Sequence, residues 1–293
     1  MTNSKDSEIA AAHAEIARLN AEFQDLQMLY EATIAHGEAV EDQLAEANIL
    51  LQTTQKRLNE ELQEAYNYIL SIIPPPRLEP PFTDWHFTPS TELGGDSFGF
   101  HDIDDDHMAF YLLDVCGHGV GAALLSVTAI NVLRSSALIN TDFRAPAAVL
   151  AALNAAFPME KQNNMYFTIW YGVYQKSSRM LSYASGGHPP SLLLRGSETA
   201  RQLMTRGLPM GTFPDMHYKS ERVQIETGDR LLILSDGTFE VEKTPGDLLS
   251  FEEFVNFVAA PGGDTPSRIF DWIKAFSDQP SLPDDFSLLR VVF

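Results

Sequence analysis

The sequence predicts an α+β domain, built of antiparallel sheets layered with helices, behind a long helical arm. Three observations carry this expectation. A heptad of apolar residues runs from 9 to 72, and a proline cluster, "IIPPPRLEPPF", ends it. Beyond the prolines, strand-like runs joined by hairpin turns alternate with helical segments that come in pairs. Hairpin-linked strands with paired helices point away from a parallel doubly wound sheet.

Stepping by seven from Ile9 meets Ile16, Phe23, Tyr30, Gly37, Leu44, Leu51, Leu58, Ala65 and Ile72. The companion positions from Ala12 include Leu19, Leu26, Val40, Ala47 and Tyr68. The register weakens at Gly37, Thr54 and Glu61, and Leu62 with Ile69 suggest a rotated seam near its end. A helix of this extent is about 100 Å long at 1.5 Å per residue, more than any domain the chain can build to pack against it. Self-association as a parallel homodimer through residues 9–72 is therefore expected. The prolines divide the chain into an arm and linker helix over 1–73, dimerising and regulatory, and a globular domain over 74–293.

In the globular part "WHFTPS" and "HMAFYLLDV" read as strands around the acid-rich hairpin tip "DIDDDH". Residues 117–138 and "PAAVLAALNAAF" read as helices. "MYFTIWYGVYQ" turns at "KSSR" and returns as "MLSYASGG", and further strands follow at "SLLLR", "RQLMT", "ERVQIE" and "RLLILSD". Ser250 to Glu253 is a capping-box sequence, and Thr265-Pro266 opens a second helix. "DFSLLRVVF" closes the chain as a strand.

The 293 residues carry a formal charge of −20, which argues against nucleic acid or an anionic membrane as the main partner. A single cysteine makes no intrachain disulfide. The N-terminus has no signal-peptide pattern, and no apolar run reaches the roughly 20 residues of a membrane-spanning helix. These features suit the cytoplasm, without membrane insertion.

The stretch "YLLDVCGHGVGAA" joins a strand to a helix and holds three kinds of candidate chemistry. Cys116 lacks the arginine that a cysteine phosphatase needs, the next being Arg134, and His118 is too near in sequence to be an oriented partner. A buried structural cysteine is the plainer reading. "GHGVGAA" has neither the lysine nor the serine or threonine of a P-loop. Carboxylates remain. "ELGGDSFGF", "YLLDVCGHG", "LILSDGTFE" and "LPDDFSLL" each set an aspartate at a strand edge beside glycine or a second acid. Converging carboxylates repel unless cations join them, and magnesium or manganese prefer oxygen ligands. Any one of these aspartates reads equally well as a turn residue. Asp264, in a second "GGD", is explained by loop and helix-cap chemistry, and Asp104, Asp105 and Asp106 by a solvated hairpin tip. The ordered set of four lifts the metal reading above that background.

That ordered pattern resembles the metal-dependent protein phosphatases, the PPM superfamily, in particular the bacterial SpoIIE/RsbU-type serine phosphatases. The similarity covers about residues 62–293. "ELGGDSFGF" is similar to the family's Gly-Gly-Asp motif, "LDVCGHGVGAAL" to its Asp-Val-Ser-Gly-His-Gly, and "YASGGHPPSLLLR" to its Ala-Gly-His-Pro-Pro segment. "GLPMG", "LILSDGTFE" and "PDDFSLL" follow in the family's order, and "LQEAYNYILSIIPP" resembles its preceding linker helix. The chain departs from the pattern at Ser97-Phe98-Gly99, at Leu113 before the Asp-Val pair, and at Cys116 in the serine position.

The resemblance implies a four-layer αββα sandwich with a metal site at one end. It implies that Asp114 bridges two manganese or magnesium ions and that the Val115 carbonyl adds a ligand. Asp96 would serve the second ion, and Asp236 with Asp284 the first, leaving Asp285 the less suited of its pair. It further implies a water activated by two metals, with Asp96, Asp114 and Asp236 as the catalytic set. The leaving-group acid stays open between His118 and His188, each with a loop-shaping role as its alternative. The expected activity is that of a phosphoserine/phosphothreonine protein phosphatase in a partner-switching pathway, acting on a phosphorylated STAS-domain anti-sigma-factor antagonist. An upstream regulatory protein, or rearrangement of the dimer, would act through the helix at residues 60–73. The alternative is a pseudophosphatase, a coiled-coil scaffold that binds a phosphoprotein without cleaving it.

Overall fold

In the computed structural model the chain divides into two compact units, residues 1–61 and 62–293. The structure describes residues 2–90, 93–196, 199–244, 246–276 and 282–293, with side chains from residue 7 onward. Glu92, which opens the "ELGGD" motif, lies outside the described residues.

Helix α1 (Thr2–Ile72) supplies all of the first unit. Its large apolar side chains there are exposed at both heptad positions, Phe23 at 66% and Leu26 at 64%. The end of the helix belongs to the second unit and is packed. Ile69, Ile72 and Ile73 are buried, and Leu62, Ala65 and Tyr66 pack with Ile69, Leu93 and Ala123. Arg134 Nη1 donates to the Ile72 carbonyl at 3.2 Å. The prolines stop the helix, as the sequence predicts, but packing sets the unit boundary earlier, between Glu61 and Leu62. The rotated seam at Leu62 and Ile69 is the reason, because it turns these side chains onto the globular unit.

Two five-stranded antiparallel sheets follow. The first holds β1 (Phe82–Thr88), β6 (Ser191–Leu194), β7 (Arg201–Leu203), β9 (Arg230–Leu234) and β12 (Phe286–Val292), in the order β1-β12-β9-β6-β7. The second runs β2-β3-β4-β5-β8, from β2 (Ser97–Asp102), β3 (His107–Val115), β4 (Phe167–Gln175), β5 (Met180–Gly186) and β8 (Glu221–Gln224). A small hairpin pairs β10 (Glu242–Thr244) with β11 (Asp247–Leu248).

The sheets lie face to face. Met108, Phe110 and Leu112 of β3 share one core with Leu231 and Ile233 of β9 and Leu289 and Val291 of β12. The alternate residues of β3, Ala109, Tyr111, Leu113 and Val115, face helices α2 (Val120–Arg134) and α3 (Pro146–Ala156). On the far side, Leu232, Leu234 and Leu288 pack with α4 (Phe251–Ala259) and α5 (Pro266–Lys274). The result is the expected αββα sandwich. It also explains why β3 is apolar without alternation, since both faces of that strand are buried.

Local signals act as read in most places. Ser250 and Glu253 form a reciprocal capping box on α4, and Pro266 sits in the first turn of α5. Asp264 is a correction. It is 2% exposed and accepts from Arg290 Nε at 2.9 Å and Arg230 Nη1 at 3.4 Å. It is a buried acceptor between two arginines of the first sheet, not a cap, and the two arginines were invisible from its own stretch of sequence.

Candidate active site

The candidate aspartates arrive in two pairs, one from each sheet. In the second sheet Ser97 of β2 pairs with Leu113 of β3. The next residues outward, Asp96 and Asp114, therefore leave that ladder as neighbours. In the first sheet Leu234 pairs with Leu288. The Ser235 N–H donates to the Ser287 carbonyl at 3.0 Å, and the chain then turns through a 3-10 segment, Asp236–Thr238. That turn faces the residues entering β12, Asp284 and Asp285. A cleft of about 360 Å³ opens here, lined by Asp114, Val115, Cys116, His118, Asp236 and Asp284 among others. Asp96 is buried at 2% exposure, and its Oδ2 has no hydrogen-bond partner.

Electrostatics tie the four together. Burial is the first cause in each case, and neighbouring aspartates add to it. Asp114 is pushed up to about 7 by burial, then by Asp236, Asp284 and Asp285. Asp96 is raised well above the ordinary carboxylate value by burial, then by Asp114 and Asp285. Asp236 reaches about 6 through burial, Asp284 and Glu240. Asp284 is raised by burial, with His118 opposing. No lysine or arginine is found among the described residues that line the cleft.

The backbone around these acids is held by the fifth aspartate. Asp285 Oδ1 accepts from the Ser90 N–H at 2.7 Å and its hydroxyl at 2.9 Å. Its Oδ2 accepts from the Gly95 N–H at 2.6 Å and the Asp96 N–H at 3.3 Å. Both carboxylate oxygens of Asp285 are thus engaged by these donors. Glycine does two jobs nearby. Gly117 and Gly119 adopt φ of 89° and 85°, a region that other residues rarely visit. Gly237 serves by size, since a Cβ there would lie 2.2 Å from the Asp285 carbonyl oxygen.

Other placements need sequence-distant partners to be seen. Thr168 lies opposite Asp114 in the β3–β4 register and lines the cleft, with its hydroxyl buried and unpartnered. Tyr166 and Ser90 line it as well, and Glu240 adds charge beside Asp236. Only the strand register, counted from one side to the other, would have pointed to Thr168.

The two histidines separate. His118 is exposed on the cleft wall and close enough to Asp284 to oppose its upward shift. His188 is buried, its Nδ1–H donates to the Pro189 carbonyl at 3.0 Å, and burial pulls its pKa down to about 4. It is not among the described residues that line this cleft. Cys116 Sγ accepts from the Tyr166 N–H at 3.2 Å, a structural contact.

The donor set is all oxygen, crowded and partly orphaned, which fits hard divalent cations. Among the described residues no three His, Cys, Asp or Glu side chains close on one point by themselves. Cations here would therefore draw on backbone carbonyl oxygen and water as well.

Facing antiparallel sheets with helices outside, and acids gathered where the strands end, define the protein phosphatases of the PPM, or PP2C, type. A family model for stage II sporulation protein E (SpoIIE) matches residues 104–293. The chain belongs to the SpoIIE family, and its globular unit has the fold of the PP2C-type domains. It is 26% identical to phosphoserine phosphatase RsbU of Bacillus subtilis (strain 168) over 275 residues, 91% of this chain and 78% of RsbU. It is 27% identical to phosphoserine phosphatase RsbP of the same organism over 161 residues, 54% of this chain but only 39% of RsbP. The SiaA-PP2C domain of Pseudomonas aeruginosa superposes with a TM-score of 0.70 at 18% identity, covering 82% of this chain and 98% of that domain.

Proposed function

We propose that this chain is a manganese- or magnesium-dependent phosphatase that hydrolyses phosphoserine and phosphothreonine in proteins. The observation that carries the reading is the gathering of Asp114, Asp236 and Asp284 on one cleft beside buried Asp96, whose Oδ2 has no hydrogen-bond partner, with burial raising all four carboxyls and neighbouring acids adding to it. Such a set is unfavourable alone and favourable with cations. Asp96, Asp114, Asp236, Asp284 and the Val115 carbonyl would hold two ions. When bound, these supply Lewis acidity and a water of lowered pKa for in-line attack on phosphorus.

The chain's own residues do the rest. Asp285 fixes the loop that carries Asp96, and the Gly237 turn fixes Asp236 against the start of β12. His118 lines the cleft wall, and in this reading it would hand a ring N–H proton to the departing seryl oxygen. Cys116, held by the Tyr166 N–H, takes no covalent part.

The substrate class follows the family resemblance: a phosphorylated STAS-domain anti-sigma-factor antagonist in a partner-switching pathway. The exposed heptad of α1 supports a homodimer through residues 9–61, short of the expected 9–72 because Ala65, Ile69 and Ile72 pack in the globular unit, with an upstream regulatory protein acting on the helix at residues 60–73. No helix among the described residues is long and apolar enough to cross a membrane, which supports work in the cytoplasm.

The deciding experiment is manganese-dependent hydrolysis of p-nitrophenyl phosphate by the wild type beside Asp114→Asn. Metal-dependent activity that vanishes in the variant supports the reading. Equal activity in both places the reaction elsewhere, and none in either favours the phosphoprotein-binding scaffold.

A further inference from the structure

Asp114 has a neighbour across the ladder with an uncommitted hydroxyl. Thr168, the second residue of β4, stands directly opposite it in the β3–β4 register. Opposite residues share a face of the sheet, with Cβ atoms about 4.5–5.5 Å apart. Two residues further along the strands, Leu112 and Trp170 lie on that face, within the core between the two sheets. Thr168 therefore faces the same space as Asp114, and it lines the cleft together with Asp236 and Asp284. Its hydroxyl oxygen is buried and has no hydrogen-bond partner among the described residues.

The fold has no use for that hydroxyl. Valine has the same branched shape and suits a strand as well, and it would bury no unsatisfied polar group. Ser90 also lines the cleft, but its hydroxyl is committed to Asp285. A phosphoryl group brings several charged oxygens to a cleft with no lysine or arginine among its described lining residues. A neutral donor fixed on a strand meets that need, and a hydrogen bond to a charged oxygen is stronger than one between neutral groups.

We propose that the Thr168 hydroxyl donates a hydrogen bond to a phosphoryl oxygen of the substrate, which makes Thr168 a further catalytic residue. The inference rests on the phosphatase reading above and adds a group that grips the phosphoryl end of an ester entering the cleft. A donor already in place before the ester arrives costs no reorganisation during the reaction.

The test uses the full chain with manganese and p-nitrophenyl phosphate, and compares the wild type with Thr168→Val and Thr168→Ser. Thr168→Val should lower kcat/KM about tenfold or more and weaken competitive inhibition by inorganic phosphate about fivefold or more. The manganese concentration for half-maximal rate should stay within about twofold, and Tm in EDTA should equal or exceed that of the wild type. Thr168→Ser keeps the hydroxyl, so its kcat/KM and phosphate inhibition should stay within about threefold of the wild type. Three results overturn the proposal. A Thr168→Val rate and phosphate inhibition within about twofold of the wild type would leave the hydroxyl idle. Weakened manganese activation with unchanged phosphate inhibition would assign it to Asp114 and the ions instead. Losses in Thr168→Ser as deep as in Thr168→Val, with a lowered Tm in EDTA, would make Thr168 a packing residue. If the wild type shows no manganese-dependent hydrolysis, it is the phosphatase reading that fails, and the role of Thr168 falls with it.

Discussion

The carboxylate of Asp285 accepts a hydrogen bond from the Gly95 N–H at 2.6 Å across 190 residues of chain. With its contacts to Ser90 and Asp96, this one side chain ties the loop before β2 to the start of β12. The candidate aspartates on the two sheets are thereby held in one frame. Their alignment is a property of this clamp as much as of the strands.

Every partner of Asp285 is a donor, which gives its amide variant a defined defect. Asp285→Asn turns an NH2 group toward an N–H, and a donor is left facing a donor. Removing a charged acceptor from buried donors costs about 1.5–3 kcal/mol per bond. Asp285→Asn should lower Tm by on the order of 5–10 °C and cut metal-dependent turnover at least tenfold, read by calorimetry and p-nitrophenyl phosphate hydrolysis. A variant with normal Tm and rate would show that the clamp does not position Asp96.

Gly237 makes the matching prediction on the other side of the cleft. A methyl group there would overlap the Asp285 carbonyl oxygen, so the Asp236 turn must move off β12. Gly237→Ala should reduce turnover more than tenfold and weaken manganese activation, measured as the metal concentration for half-maximal rate. The same substitution at Gly37, where nothing lies within 4 Å of the added carbon, should leave the rate unchanged.

The antiparallel strands and paired helices could be read from short local patterns, as could the strand-edge aspartates, while the αββα layer order came only with the family resemblance. Hairpin turns, capping residues and aspartate–glycine pairs are written in neighbouring positions, and β3 to β5 and α4 form where those signals fall. What could not be read depends on pairs far apart. Asp285 clamps Gly95, Asp264 bridges Arg230 and Arg290, and Thr168 stands opposite Asp114. Each is set by strand register or by sheet-to-loop packing, neither of which leaves a local trace. The unit boundary moved for the same reason, since the prolines mark where a helix stops and not where its packing begins.

The raised carboxylates make the metal-free protein sensitive to pH. Asp114 stands at about 7 and Asp236 at about 6, both above the ordinary 3.8, through burial first and neighbouring aspartates second. A carboxyl raised in the folded state stabilises it fully below the unfolded value, and that contribution is lost as pH rises through the folded value. The window therefore runs from about pH 4 to about pH 7. For Asp114 the loss is on the order of 2–4 kcal/mol. In EDTA at pH 8, Asp114→Asn should melt on the order of 5–10 °C above the wild type, and the gap should narrow as pH falls and close by about pH 4. Manganese should reverse the order at pH 8 by stabilising only the wild type. A gap independent of pH would show that these acids are not crowded in solution.

Cys116 sits in the cleft, so its role can be tested without disturbing the acids. Its sulfur is an acceptor for the Tyr166 N–H, and a serine hydroxyl can accept the same bond. Cys116→Ser should keep turnover within about threefold of wild type, and iodoacetamide should fail to abolish the activity of that variant. A loss of a hundredfold or more would return the cysteine to consideration as a nucleophile.

The two parts of α1 should respond differently to charge. In residues 7–61 the heptad side chains are exposed in a single chain, Leu44 at 61% and Leu51 at 65%. Nothing in the globular unit depends on burying them. A polar pair at these positions disrupts a coiled-coil seam but not a domain core. Leu44→Glu/Leu51→Glu should therefore convert a dimer to a monomer in light scattering, with the main melting transition unchanged within about 2 °C. Ile72→Glu should do the reverse. Ile72 is 7% exposed and shares a core with Leu133, Leu150 and Leu153, so a charge there costs about 3 kcal/mol or more. It should lower the main transition by on the order of 10 °C while the arm still associates. If the double arm variant melts early and remains dimeric, the seam is packed within one chain and the dimer lies elsewhere.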